Sequence, residues 1–239
     1  MSIKKIGLFG ILFSLNFFMY SCSKDSATPT SDSDTTAGTG IYVYDLVGDT
    51  AASVGIESGK TERAFYPLLF NFSTGNSHIL KTAEDSSKYL SSDTAWDIAF
   101  TAQYNSTVQP NNGSYATSPA NGNSGTFIIM TENTPFDQIT TAPTDAEMTS
   151  DAMTSVGWDQ GDGQGWFYYS LDNHICVAVT NRTFIFKTSQ GLYGKVEFIS
   201  IYKNHPAVVT DLYWPSPYLT FRYYIQKDGS KNLRTTTSS

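Results

Sequence analysis

The chain has 239 residues, 40% of them hydrophobic and 14% aromatic, with 15 Lys+Arg against 22 Asp+Glu and a net charge of −7. That length suits one large domain or two small ones. The acidic balance excludes a nucleic-acid groove, which is built from clustered Lys and Arg, and excludes electrostatic docking on anionic lipid.

The sequence opens "MSIKKIGLFGILFSLNFFMYSCSKD". Lys4 and Lys5 supply a basic start, and residues 6–20 an apolar core too short for a membrane span, which takes about 20 residues. Residues 1–21 therefore read as a secretory signal. Cys22 stands at the cleavage point just where the polar stretch begins, with Met19 three residues before it, and is predicted to carry lipid. Acyl chains would then supply the membrane contact. Residues 22–40 are Ser, Thr, Asp and Gly with almost nothing apolar, a composition that cannot offset its ordering entropy, so a flexible tether is predicted there. The folded domain is expected over 41–239.

From residue 41 onward the pattern is short runs of Phe, Tyr, Ile, Val and Thr divided by Gly, Asn, Ser and Pro, which predicts strands. In chain order these are "IYVYDLV", "RAFYPLLFNFS", "HILKT", "AWDIAF", "GTFIIM", "GWFYYS", "HICVAV", "RTFIFKT", "YGKVEFISIY" and "YLTFRYYIQ". In the last run Tyr218, Thr220, Arg222 and Tyr224 face one way, and Leu219, Phe221, Tyr223 and Ile225 the other. "TSQGL" joins two strands with Gly191 at the position that needs positive φ. One helix-like patch, residues 146–153, interrupts the strands. Residues 105–125 and 154–165 read as two long loops, the second a mobile Gly-rich one with Trp158 inside it. The predicted fold class is all-β: a single antiparallel two-sheet sandwich or partly open barrel with little helix.

Catalytic patterns are missing. The three histidines are His78, His174 and His205, and no metalloprotease, nucleophile-elbow or P-loop motif occurs, which points to a non-enzymatic protein. Carboxylate pairs drawn from Asp93, Asp97, Asp159 and Asp162 offer a glycosidase reading. "DQGDGQG" from Asp159 fails as a calcium loop, since Gly161 takes the third position and Ser170 the twelfth. With Cys22 lipidated, Cys176 has no disulfide partner and reads as a small buried hydrophobe, or else as half of a Cys–His pair with His174. Trp166 and Tyr168 share one strand face, Phe167 and Tyr169 the other. Trp158 and Trp214, in loops, are the surface aromatics suited to a glycan.

"TAWDIAF" from Thr94, "NNGS" from Asn111, "FDQITTAPTD" from Phe136, "GWFYYS" from Gly165, "RTFIFKTSQGLYGKVEFISIYKN" from Arg182 and "YLTFRYYIQ" from Tyr218 follow one another in an order that resembles the HmuY family. "FNFSTGN" from Phe70 is similar to that family's first strand pair. The resemblance implies an all-β fold and a surface-exposed, lipid-anchored protein that holds haem between two axial side chains from two loops. The hairpin from Arg182 would be scaffold, its Lys and Thr decorating the sheet. Carried over, the first ligand falls on Met148 or Met153 and the second on His174, since Leu171 stands where a ligand can follow the aromatic–Ser pair. Tyr168 and Tyr169 are weaker alternatives as phenolate donors. The implied function is haem capture and hand-off to an outer-membrane haem receptor, with Cys22 as the anchor and "CSKD" similar to the short acidic tag of surface-exposed lipoproteins. The alternative is a same-fold surface lipoprotein without haem that binds a glycan or protein partner through Trp158, Trp214 and residues 105–125.

Overall fold

The structure is a computed structural model, and it describes residues 37–55, 57, 59–122, 125, 128–211 and 213–236. The predicted signal, Cys22 and most of the tether lie outside the described residues. In chain order the elements are β1 (Gly38–Thr39), β2 (Ile41–Val47), β3 (Ala52–Ser53), β4 (Thr61–Glu62), β5 (Leu68–Phe70), β6 (Ser77–Ile79), α1 (Ala83–Tyr89), β7 (Ile98–Thr101) and β8 (Thr107–Pro110). They continue with β9 (Ile128–Glu132), α2 (Asp145–Ser150), β10 (Phe167–Tyr169), β11 (Cys176–Ala178), β12 (Thr183–Lys187), β13 (Tyr193–Ser200), β14 (Tyr218–Ile225) and β15 (Thr235–Thr236). Single 3-10 turns stand at Gln103–Asn105 and Phe136–Gln138. β1 pairs with β15, so ordered strand begins within the stretch expected to be tether.

Two sheets carry the fold. The larger runs β2-β14-β13-β12-β9, antiparallel throughout, and the smaller runs β6-β5-β7-β8. The alternation read in the sequence decides how they meet. Leu219, Phe221, Tyr223 and Ile225 of β14, with Phe184 and Phe186 of β12, face Leu68, Phe70, Ile98 and Phe100 of the smaller sheet in one buried core. Phe70 meets Phe221 edge-on at 5.1 Å, and Phe72 stacks on Phe186 at 4.2 Å, both favourable aromatic geometries. The β12–β13 turn places Gly191 at φ +79, the left-handed conformation that glycine takes without steric cost.

Each sheet is also covered on its outer face. α1 follows Thr82, whose side chain and that of Asp85 satisfy each other's backbone N–H groups in a capping box. Tyr89 of this helix and Leu90 just beyond it pack on a cluster of Leu69, Leu80, Trp96 and Ala99. No α1 residue is fully buried, so this helix has no apolar period to read in the sequence. α2, capped in the same way by Thr144 and Glu147, brings Met148 onto Ile185, Tyr193 and Tyr224 of the larger sheet, together with Phe136, Ile139 and Leu233.

The hairpin's polar residues are not all decoration. Thr183, Thr188 and Lys195 are fully buried. Lys195 donates to the Phe136 and Ile139 carbonyls, both at 2.7 Å, and to Thr235 Oγ1 at 3.0 Å, with its ammonium 4.4 Å from the Phe136 ring centre. Burial pulls its pKa down to about 8.

The stretch expected to be a long loop over 105–125 is partly structured. It contains β8, and buried Asn111 donates to the Ser92 and Trp96 carbonyls at 2.9 and 2.8 Å. At the end of β8 the Asn111 side-chain amide thus takes over from ladder bonds.

Candidate functional site

The hairpin β10–β11 pairs Phe167 with Ala178, Tyr168 with Val177 and Tyr169 with Cys176. Alternation turns Phe167 and Tyr169 toward the body of the protein, while Tyr168 is 50% exposed on the outside. Trp166, just before β10, is buried and donates from its indole to the Ser106 carbonyl at 2.7 Å. At the other end the chain reverses. Ser170 N–H donates to the Ile175 carbonyl at 3.0 Å, and His174 N–H to the Ser170 carbonyl at 2.9 Å. His174 sits at φ +57, in the left-handed region. The turn folds its imidazole back, placing Nδ1 2.7 Å from the Tyr169 hydroxyl. Tyr169 and His174, read separately from the sequence, form one hydrogen-bonded pair.

Beside that pair lies a cleft of about 480 Å³ walled by Val54, Tyr104, Trp158, Phe167, Tyr169 and Cys176. This falls within the usual size range of small-molecule sites. Trp158, 42% exposed, meets Tyr169 edge-on at 5.6 Å. The cleft's own ionisable groups stay neutral at ordinary pH. Burial pushes the Cys176 thiol up to about 12. Burial and then Cys176 raise Tyr169, and burial and then Glu57 raise Tyr104, whose hydroxyl donates to Glu57 at 2.7 Å. A thiol held protonated is a poor nucleophile, and His174 is bonded to Tyr169, so the Cys–His pair is not formed.

The Gly-rich segment that positions Trp158 is clamped. Asp159 is buried and pairs with the guanidinium of Arg182, which also donates to the Gly165 carbonyl at 2.7 Å and to Asn133 Oδ1 at 3.0 Å. Asp159 also accepts from Gly161 N–H at 2.7 Å. Burial pulls its carboxyl up, but Arg182 and the backbone donors outweigh that and leave it below the ordinary value. A Cβ on Gly165 would stand 2.1 Å from the Asp159 nitrogen, so only glycine allows this approach. Arg182 gave no sequence signal, because its partner lies 23 residues away. Tyr104 was missed for the same reason: it reaches the cleft from a 3-10 turn with no pattern.

The other candidates lie elsewhere. Met148 is fully buried in the cluster on the outer face of the larger sheet, and Met153 belongs to the inner core, so the two thioethers occupy opposite faces. Met153 Sδ accepts from the Thr131 hydroxyl. Its recess includes Gln164, just before β10, whereas His174 is fixed just after that strand. Trp214 is half-buried and spends its indole N–H on the Lys203 carbonyl at 3.0 Å. Of the carboxylates read as pairs, Asp97 is buried under the Phe72 N–H at 2.7 Å, Asp159 faces Arg182, and Asp162 accepts from Gln164 N–H at 3.0 Å. Among the described residues no three His, Cys, Asp or Glu side chains converge to hold a metal ion, and no helix is long and apolar enough to cross a membrane.

The profile of the HmuY protein family matches residues 67–214, a span holding β5 to β13 and every wall of the cleft except Val54. The chain belongs to the HmuY family. Among solved structures, it is similar to the apo HmuY analog TFO of Tannerella forsythia, at 13% identity and a TM-score of 0.39, over 81% of this chain and 98% of that one. A putative HmuY-like heme binding protein from Bacteroides vulgatus gives 14% identity and a TM-score of 0.36 over 79% and 97%. Apo PinO from Porphyromonas gingivitis gives 12% and 0.34 over 81% and 99%. No curated protein sequence matches the chain. Membership of the HmuY family rests on the profile match and agrees with the resemblance read from the motif order.

Proposed function

We propose that this HmuY-family protein binds haem in the cleft between Tyr104, Trp158 and the β10–β11 hairpin. The observation that carries the reading is a neutral cleft walled largely by apolar and aromatic side chains, with Tyr169 in its lining and the exposed His174 imidazole hydrogen-bonded to the Tyr169 hydroxyl behind it. Such a cleft fits haem, whose iron is held in proteins by His, Met, Cys or Tyr. Bound haem would supply a flat apolar ring and an iron centre with axial positions to fill. Trp158, Tyr104 and Phe167 would exclude water from the ring, and burial of apolar surface would give most of the affinity. Met153 remains a candidate donor only if its sulfur leaves Thr131, and Met148 only if α2 lifts from the sheet. Tyr168 points outward and would touch only the ring's margin.

The same reading places the protein outside the cell, tethered by lipid at Cys22 and passing haem to an outer-membrane receptor. Titrating haem into the detergent-solubilised full chain tests it, with Tyr169→Phe, His174→Ala and Met153→Leu run in parallel. A Soret shift at micromolar haem that weakens in the Tyr169 and His174 variants supports the cleft. A shift lost only in Met153→Leu moves the site to the Gln164 recess. No shift in the intact protein, oxidised or reduced, removes haem binding.

A further inference from the structure

We infer that a second pocket, formed by residues of the 50–60 segment and of 213–218, takes one neutral pyranose ring at the end of a glycan. The inference does not rest on haem binding. Three features of the pocket carry it.

The first is its size and fixed frame. It encloses about 300 Å³, the lower end of the range for small-molecule sites, which suits one sugar ring rather than a chain. The Trp214 indole donates to the Lys203 carbonyl at 3.0 Å, and Lys203 N–H to the Pro215 carbonyl at 2.9 Å, so the aromatic side is held in place. On the other segment Glu57 accepts from the Tyr104 hydroxyl through one oxygen and from Lys60 through the other, each at 2.7 Å.

The second is unused hydrogen-bonding capacity. Among the described residues, the side-chain hydroxyls of Thr50, Ser216 and Tyr218, all in the lining, have no protein partner. Ser216 is only 8% exposed, so bulk water serves it poorly. Both Glu57 oxygens keep a free lone pair, and Lys60 keeps spare N–H groups. Hydroxyls both donate and accept, as every sugar hydroxyl does, and the carboxylate and ammonium complete a mixed set that a polyol can satisfy.

The third is the aromatic rim and its charge. Tyr213, at 80%, is the most exposed large hydrophobic side chain among the described residues, and half-buried Trp214 adjoins it. The C–H groups on one face of a pyranose are slightly positive and settle on the negative face of such rings. Aromatic cages also attract cations, but here Lys60 already neutralises Glu57, and the Lys203 ammonium stands 5.5 Å from the Tyr218 ring centre. A cationic ligand would meet two ammonium groups and an anionic one the Glu57 carboxylate, which leaves a neutral ligand favoured.

Isothermal titration of the full chain with methyl glycosides of glucose, galactose, mannose and N-acetylglucosamine tests this, with choline and N-acetylneuraminic acid as charged rivals. The intact protein is expected to bind at least one neutral glycoside more tightly than either rival. A disaccharide with that ring at its non-reducing end should bind as tightly as the glycoside, which separates a glycan terminus from a free sugar. Tyr213→Ala should weaken binding by about 10-fold. The triple variant Thr50→Val, Ser216→Ala, Tyr218→Phe should weaken it by about 100-fold, at roughly 5-fold for each lost hydrogen bond. Both variants remove only side-chain groups that hydrogen-bond to nothing in the protein, so their urea midpoints should match the wild type. No neutral glycoside bound at millimolar concentration, tighter binding of choline or N-acetylneuraminic acid, exclusion of the disaccharide, or binding that persists in either variant overturns the inference.

Discussion

Arg182 reaches three partners through a single buried guanidinium, and removing it is the sharpest test of how the cleft is held. In Arg182→Met the side chain keeps its length, but Asp159 is left buried beside only backbone donors, while the Gly165 carbonyl and the Asn133 amide oxygen lose theirs. Breaking one half of a buried pair costs about 3–5 kcal/mol, mainly from the uncompensated charge left behind. Asp159→Asn strands the guanidinium instead and should cost a similar amount. The double variant removes both charges, so its loss should fall well short of the sum, with a coupling of about 2–3 kcal/mol. Urea denaturation at pH 7 measures all three, and Trp158, next to Asp159, should report a more solvent-exposed indole in each single variant by fluorescence. Losses below about 1 kcal/mol in both single variants, or strictly additive losses, would mean that the pair behaves as a surface ion pair and that the Gly-rich segment is held by something else.

Asp97→Asn should alter stability in a pH-dependent way. Burial raises the Asp97 carboxyl from 3.8 to about 6, so between those values the native state holds a proton that the unfolded chain has lost. This group's contribution is complete below 3.8 and is lost as pH rises through 6. The variant should therefore gain on the wild type by about 2 kcal/mol between pH 4 and pH 7, and a difference that stays flat across that range refutes the burial argument. Lys195 has the opposite sense: with its pKa lowered from 10.5 to about 8, the unfolded chain holds the extra proton between those values. Wild type should gain about 3 kcal/mol on Lys195→Met across that window, read by chemical denaturation at its two ends. Phe221→Ala, at a fully buried site facing Phe70 and Phe100, should cost about 3–5 kcal/mol in urea, and a cost under about 1 would mean that the two sheets do not share this core.

Much of the frame is legible in the sequence because strands advertise themselves locally. The two faces of residues 218–225 separate as read, with Leu219, Phe221, Tyr223 and Ile225 inside and Arg222 outside, paired to Glu197 and Asp137. What local pattern does not carry is contact made at a distance. The segment 159–165 looks mobile because it is rich in glycine, yet Arg182 fixes it from another strand, and glycine at 165 is there for close approach. Lys195 reads as an outward residue of an alternating strand, but the turn at Phe136–Gln138 closes over it. The site shows the same division. Tyr169 and His174 are visible as candidates from motif order, while their pairing depends on a chain reversal with His174 at positive φ, which no local pattern announces. The two methionines share one short stretch of sequence, but the chain between α2 and β10 passes from one face of the larger sheet to the other, and this separates them.

The short pairing of β1 with β15 has a mechanical implication. A pull on the segment preceding residue 37 enters the fold at Gly38, where one backbone bond to the Arg234 carbonyl, 2.8 Å long, and a two-residue parallel contact bear the load. These can detach singly, like a release tab. The force then meets β2, whose seven residues are laced to β14 at the edge of the larger sheet. Such a pull would thus free a few residues before stressing the sandwich, and the cleft, which β1 and β15 do not line, would keep its shape.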